Sequence, residues 1–281
     1  GPFLLGGEVS LPDVLAMPFF ERYVASVYYW KAMDVRGDPR YKAIDEWMAA
    51  MERELPAYAA MKADFFSTVH DIPPQYGTAF SVPAAAQCQA LVDGHGDHWD
   101  WPLATCSPLG VEPATGPREL EPTPATLAAR REAARRLARN HERILKFALR
   151  GSPAVAPVAR TAAAPLSNPG APSDPSPATR AAVDLGLRGV FLALGGDGNG
   201  PGGKEALTGL AKAAEAESLG AEDRAAAVSC LAYFRDRVGV PRDMGAAAAR
   251  EMRAAVNETC RALVGVAEWE AMRGALVVKR A

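Results

Sequence analysis

The chain has 281 residues, 49% of them hydrophobic and 23% charged, with a formal net charge of -2. This balance supports one large domain or two small ones, each with its own core, and excludes a disordered tail or a disulfide-stapled miniprotein. The charge steers no particular partner, the four cysteines (Cys88, Cys106, Cys230 and Cys260) have no Cys-x-x-Cys spacing and suit a soluble, reducing compartment, and no apolar run has the length of a transmembrane segment.

The first predicted element is a helix that begins inside "GPFLLGGEVSLPDVLAMPFFERY". Ser10 reads as its N-cap and Asp13, three residues on, as the reciprocal partner of a capping box, with Val9 and Val14 as the apolar staple across it. Val14, Leu15, Phe19, Tyr23 and Val27 recur at helical spacing and are predicted to face the core, with Pro18 removing one backbone hydrogen bond and bending the helix. Asp38 with Pro39 predicts a second helix start, followed by Ile44, Trp47, Met48 and Met51 on one face. A further helix is predicted from Pro56 to about His70, ended by the paired prolines of "DIPPQYG".

Residues 77–122 are less regular. A short helix is predicted from Gln87 to Val92, followed by an ordered loop in which Trp99 and Trp101 argue against plain disorder. The clearest helix is "TPATLAARREAARRLARNHERILKFALRG", starting near Thr123 or Thr126 and stopped by Gly151, with Leu127, Ala134, Leu137, Ile144, Leu145 and Ala148 as its apolar side. An extended Pro/Ala-rich connection follows. Beyond it come helices over 178–194, 204–218 and 222–238, then one or two over 245–279, with a short strand-like "ALVVK" at the end.

The segmentation is therefore 1–80, 81–150 (an irregular loop plus the long basic helix packing on it), 151–177 and 178–281, in an all-α chain. Several stretches invite a chemical reading. "GNGPGGKE" imitates a phosphate-binding loop at Gly198, Gly203 and Lys204, but Glu205 stands where magnesium needs a hydroxyl and no clear strand precedes it, so it reads as a loop. Asp93, His95, Asp97, His98 and Asp100 could ligate a metal. They sit on a Gly-rich turn without cysteine support, and no metal site is assigned. Arg130, Arg131, Arg135 and Arg139 make the long helix basic. The face reads as solvated or as a surface for an acidic protein partner, with no aromatic interleaving to favour nucleic acid. Cys230 and Cys260 lie among apolar helical neighbours and read as buried and inert, which leaves Cys106 as the thiol to watch.

Phe3, Leu4, Gly6, Ser10 and Asp13 carry a resemblance to the helical domain of glutathione S-transferases, at the loop and start of its sixth helix. "AIDEWMAAMERELPAYAAMKADF" resembles the helices that follow it. "DIPPQYG", "NHERILKFALRG", "VDLGLRGVFLAL" and "VPRDMGAAAAREMRA" are similar to a plant and green-algal subgroup with a long helical extension.

The resemblance implies the later part of a glutathione S-transferase-like all-α domain followed by a helical extension. The family's catalytic residue, cis-proline and glutathione-binding residues belong to an upstream thioredoxin-like domain. They have no counterpart here, so no catalytic residue is assigned and the chain alone is expected to be inactive. Glutathione would be the cofactor of a form carrying that domain, with Tyr23, Trp30 and Tyr58 bordering a substrate pocket. The alternative is a non-catalytic interaction or scaffold subunit, with protein partners and no nucleic acid. The resemblance also implies the chloroplast stroma.

Overall fold

The computed structural model describes residues 1–71, 80–93, 123–152, 175–195, 207, 209–210, 212–214, 218–235, 237–269 and 272. The described secondary structure is helical, with one isolated β-bridge between Phe3 and Gly6. The all-α class expected from the sequence is thus the class observed. The chain folds as two compact units, Gly1–Pro117 with Gly239–Ala246, and Arg118–Val238 with Ala247–Ala281. The long basic helix therefore belongs with the later helices, a different division from the boundary at residue 150.

In the first unit α1 (Leu11–Lys31) is the organising element. Its buried residues are Asp13, Met17, Val24, Ala25 and Tyr29. The helix runs through Pro18, which fits because only the one backbone bond of its missing N–H is lost. The chain turns out of α1 at Ala32, in a left-handed conformation (φ 55°), and the Ala32 N–H caps the carbonyl of Tyr28 at 3.2 Å. Asp38 accepts from the Arg40 N–H at 2.9 Å and opens a 3-10 turn, Pro39–Tyr41, that leads into α2 (Lys42–Glu54).

The single helix predicted over 56–70 is two, α3 (Pro56–Met61) and α4 (Phe65–Asp71). The break has a local cause: the Asp64 carboxylate accepts from the Ser67 N–H at 2.8 Å and so starts a new helix. A 3-10 turn at Pro83–Ala85 and α5 (Ala86–Asp93) follow, matching the expected short helix. Residues 239–246 join this unit through the Val240 N–H, which donates to the Ser67 hydroxyl at 2.9 Å.

Two apolar clusters lie among the described residues of the unit. Phe3, Met17, Val24, Val35, Trp47, Met48 and Met51 form one, and Ala25, Tyr29, Phe66, Val69 and Val92 the other. Burial of each larger side chain contributes about 1.5–3 kcal/mol.

The second unit contains α6 (Pro124–Ala148), α7 (Pro177–Ala193), α8 (Ala221–Arg235) and α9 (Ala246–Val264, its first residue in the other unit). Thr123 caps α6, accepting from the Thr126 N–H at 3.2 Å, and Ser176 caps α7 in the same way at 3.0 Å. Both helices pack on α8. Close approach is achieved with glycines: a Cβ at Gly186 would meet Leu231 Cδ1 at 2.7 Å, and one at Gly189 would meet Leu210 Cδ2 at 2.9 Å.

At the end of α6 the chain tightens into a 3-10 turn, Leu149–Gly151, lying against α8. A Cβ on Gly151 would meet Tyr233 Cβ and would stand 2.9 Å from the Ser229 carbonyl oxygen and 3.0 Å from Cys230 Cα. Most of those atoms are backbone or bonded directly to it, so they cannot swing away. Gly151→Ala is accordingly expected to destabilise the protein by about 1–3 kcal/mol. Denaturant unfolding measures this, and an unchanged midpoint would contradict the close approach.

Candidate functional site

The most organised polar feature of the first unit lies at the start of α1. Phe3 and Gly6 exchange backbone hydrogen bonds at 3.1 and 3.2 Å, closing a tight loop for which the φ of +137° at Gly6 requires a residue without a Cβ. This loop turns the Leu4 N–H inward, where it donates to Asp13 Oδ1 at 2.9 Å. The same oxygen accepts from Trp47 Nε1 of α2 at 2.8 Å. Oδ2 accepts from the Ser10 N–H at 2.9 Å and from the Ser10 hydroxyl. Both halves of the capping box expected at Ser10 and Asp13 are in place.

One carboxylate thus ties a loop, a helix cap and a second helix together. Asp13 has no solvent exposure. Burial pushes its pKa up, but the hydrogen bonds from Leu4, the Ser10 hydroxyl, Trp47 and the Ser10 N–H outweigh that and hold it at about 2. The box was visible as a Ser-x-x-Asp spacing. Its third partner was not, because Trp47 is 34 positions away and its spacing marks only an apolar face of α2.

The staple is realised on one side. Val9 packs against the first cluster, while Val14 remains 48% exposed. This belongs to a larger departure from expectation. Leu11, Leu15 and Phe19, one helical turn apart, are 69%, 61% and 71% exposed, and Tyr23 is 46% exposed. Leu4 and Leu5 of the loop are exposed as well, and the stripe through Leu15, Phe19 and Tyr23 faces outward where the sequence predicted a core face. α1 has apolar residues around most of its circumference, and the side that turns inward is the one carrying Asp13, Met17 and Val24.

Tyr23, Trp30 and Tyr58 do not share one lining. Trp30 packs on the second cluster, edge-on to Tyr29 at 4.6 Å, and Tyr58 packs on the first. Tyr23 stands outside both, its ring 6.5 Å from Phe20. Beside Tyr58, the buried Arg36 donates to Asp45 at 2.6 Å and Glu52 at 3.0 Å, and Glu52 also pairs with Lys62 at 3.1 Å. This network joins α2 to the chain before and after it.

In the second unit the basic residues of α6 separate into two groups. Arg130 is turned inward, largely covered, and pairs with the buried Glu251 of α9 at 2.7 Å, so it does not belong to an outward basic face. Arg131, Arg135 and Arg139 are exposed.

Burial pushes the Cys230 and Cys260 thiols up to about 12, in keeping with inert core cysteines. The half-buried Cys88 thiol is raised too, again chiefly by burial. Among the described residues no group of three His, Cys, Asp or Glu is placed to hold a metal, and no helix is long and apolar enough to cross a membrane. The 94–122 loop with its His/Asp cluster, Cys106, the 151–177 connection for most of its length, "GNGPGGKE" and "ALVVK" lie outside the described residues.

The depressed Asp13 pKa has a definite sign. The carboxylate's contribution to stability is complete above the unfolded-state value of about 4 and is lost as pH falls through about 2. Asp13→Asn is expected to destabilise the protein, with a gap from wild type that is constant above about pH 5 and narrows on acidification below about pH 4. Unfolding midpoints of both proteins across that range measure it, and a pH-independent gap would contradict the assignment.

No family model, no curated protein and no solved structure matches the chain.

Proposed function

We propose that the first unit is the later part of a glutathione S-transferase-like all-α domain, and that it works by presenting the outward face of α1 to a second folded domain. The observation that supports this most is the coupling of two features on one helix. The Asp13 knot holds the start of α1 rigidly from inside, and Leu11, Leu15 and Phe19 are offered on the outside. Exposed apolar patches rimmed by polar residues mark interaction surfaces. In the transferase reading this covering neighbour is itself part of the same protein, which also carries a thioredoxin-like domain. The latter binds glutathione and lowers its thiol pKa for attack on an electrophile.

The same face favours a second reading, a non-catalytic subunit that docks through α1 onto a larger assembly. The protein isolated from its source cells distinguishes the two. Intact mass well above 29.7 kDa with retention on immobilised glutathione is the result expected of the transferase. Mass near 29.7 kDa with elution in a large complex is the result expected of the docking subunit. A lone monomer without glutathione retention would overturn both.

A further inference from the structure

The outward side of α6 carries Arg131, Arg135, Arg136, Arg139, Arg143 and Lys146, all exposed. They lie opposite Leu137, whose side is buried with Ala133, Ala134 and Leu145. Among the described residues none of the six side chains forms an ion pair or a hydrogen bond. Of the two acids on α6 that neighbour them, Glu142 is engaged by Arg180 of α7 at 3.4 Å and Glu132 also has a partner of its own. Arg131, Arg135, Arg139 and Arg143 follow one another at intervals of four, so their guanidiniums repeat about every 6 Å along a ridge about 18 Å long.

We propose that this ridge is a docking surface for an acidic α-helix of a partner protein. Three observations select that occupant. A helix with carboxylates at every fourth position has the same repeat of about 6 Å. With the six cations set aside, the chain has 25 basic against 33 acidic groups, a formal charge of -8, which opposes a long polyanion reaching far beyond the ridge more than a short acidic segment seated on it. No aromatic side chain stands among the six to stack a base, and Leu127, 37% exposed, is the one large apolar side chain exposed along α6, too little to enter a lipid surface. The guanidinium fork suits bidentate pairing with carboxylate.

The test uses the full chain and a fluorescent, Ala-based helical peptide of about five turns with Glu at every fourth position. A Gln-for-Glu peptide, a 20-base-pair duplex and phosphatidylserine vesicles are measured beside it. Saturable binding of the Glu peptide is expected, lost with the Gln peptide and weakening steeply with salt. It should weaken about tenfold or more in the combined Arg131→Gln, Arg135→Gln, Arg139→Gln and Arg143→Gln variant. Because these side chains are exposed, the variant is expected to melt as wild type does. If it unfolds, the four single Arg→Gln variants replace it, each expected to weaken binding measurably. The proposal is overturned if the Glu peptide does not bind at low salt, if the variants bind it as wild type does, or if the duplex or the vesicles bind more tightly.

Discussion

A single buried carboxylate organises the first unit. Asp13 accepts from the loop at Leu4, from the helix cap at Ser10 and from Trp47 of α2, so one side chain fixes where α1 begins, how the preceding chain meets it and which helix lies beside it. A carboxylate is the group for this work because its two oxygens can accept several bonds at once and because charge strengthens each of them. A buried carboxylate is costly without such partners, and here the donors are supplied from three directions. Once Asp13 faces inward, Met17, Val24 and Ala25 follow it into the core by helical periodicity, and Leu11, Leu15 and Phe19 are turned out.

The second unit is held differently. Its helices approach closely because glycines stand at the crossings, Gly186 and Gly189 on α7 and Gly151 at the end of α6. Its inward-facing charges are hydrogen-bonded: Arg130 of α6 pairs with Glu251 of α9, the buried Arg235 donates to the Asn257 amide oxygen at 2.6 Å, and the buried Arg253 donates to the Val238 carbonyl at 2.6 Å. The basic residues of α6 thus serve two purposes on one helix, the inward one joining helices and the outward ones left to solvent and whatever meets them.

Local signals were legible in the sequence. The caps at Ser10, Asp38 and Thr123 act within three residues, and the structure realises each. Long-range choices were not. Counting apolar residues along α1 selected the stripe through Leu15 and Phe19, because nothing within the helix says that Asp13 will find Trp47 and carry its own side inward. Two further features have local sequence signals. Arg130 lies seven positions before Leu137 and so on its buried side, and Asp64 before Ser67 is a cap that splits the helix predicted over 56–70. The outward apolar face of α1 comes from the structure alone.

Under the proposed function, the outer face of α1 is a contact surface held in place by the Asp13 knot. Hydroxyl-radical footprinting of the protein in its native assembly, compared with the isolated 281-residue chain, tests it most directly. Strong labelling of Leu11, Leu15 and Phe19 is expected in the isolated chain and marked protection of the same three in the native assembly, with Met17 and Val24 protected in both. Equal labelling of Leu11, Leu15 and Phe19 in the two samples would contradict it.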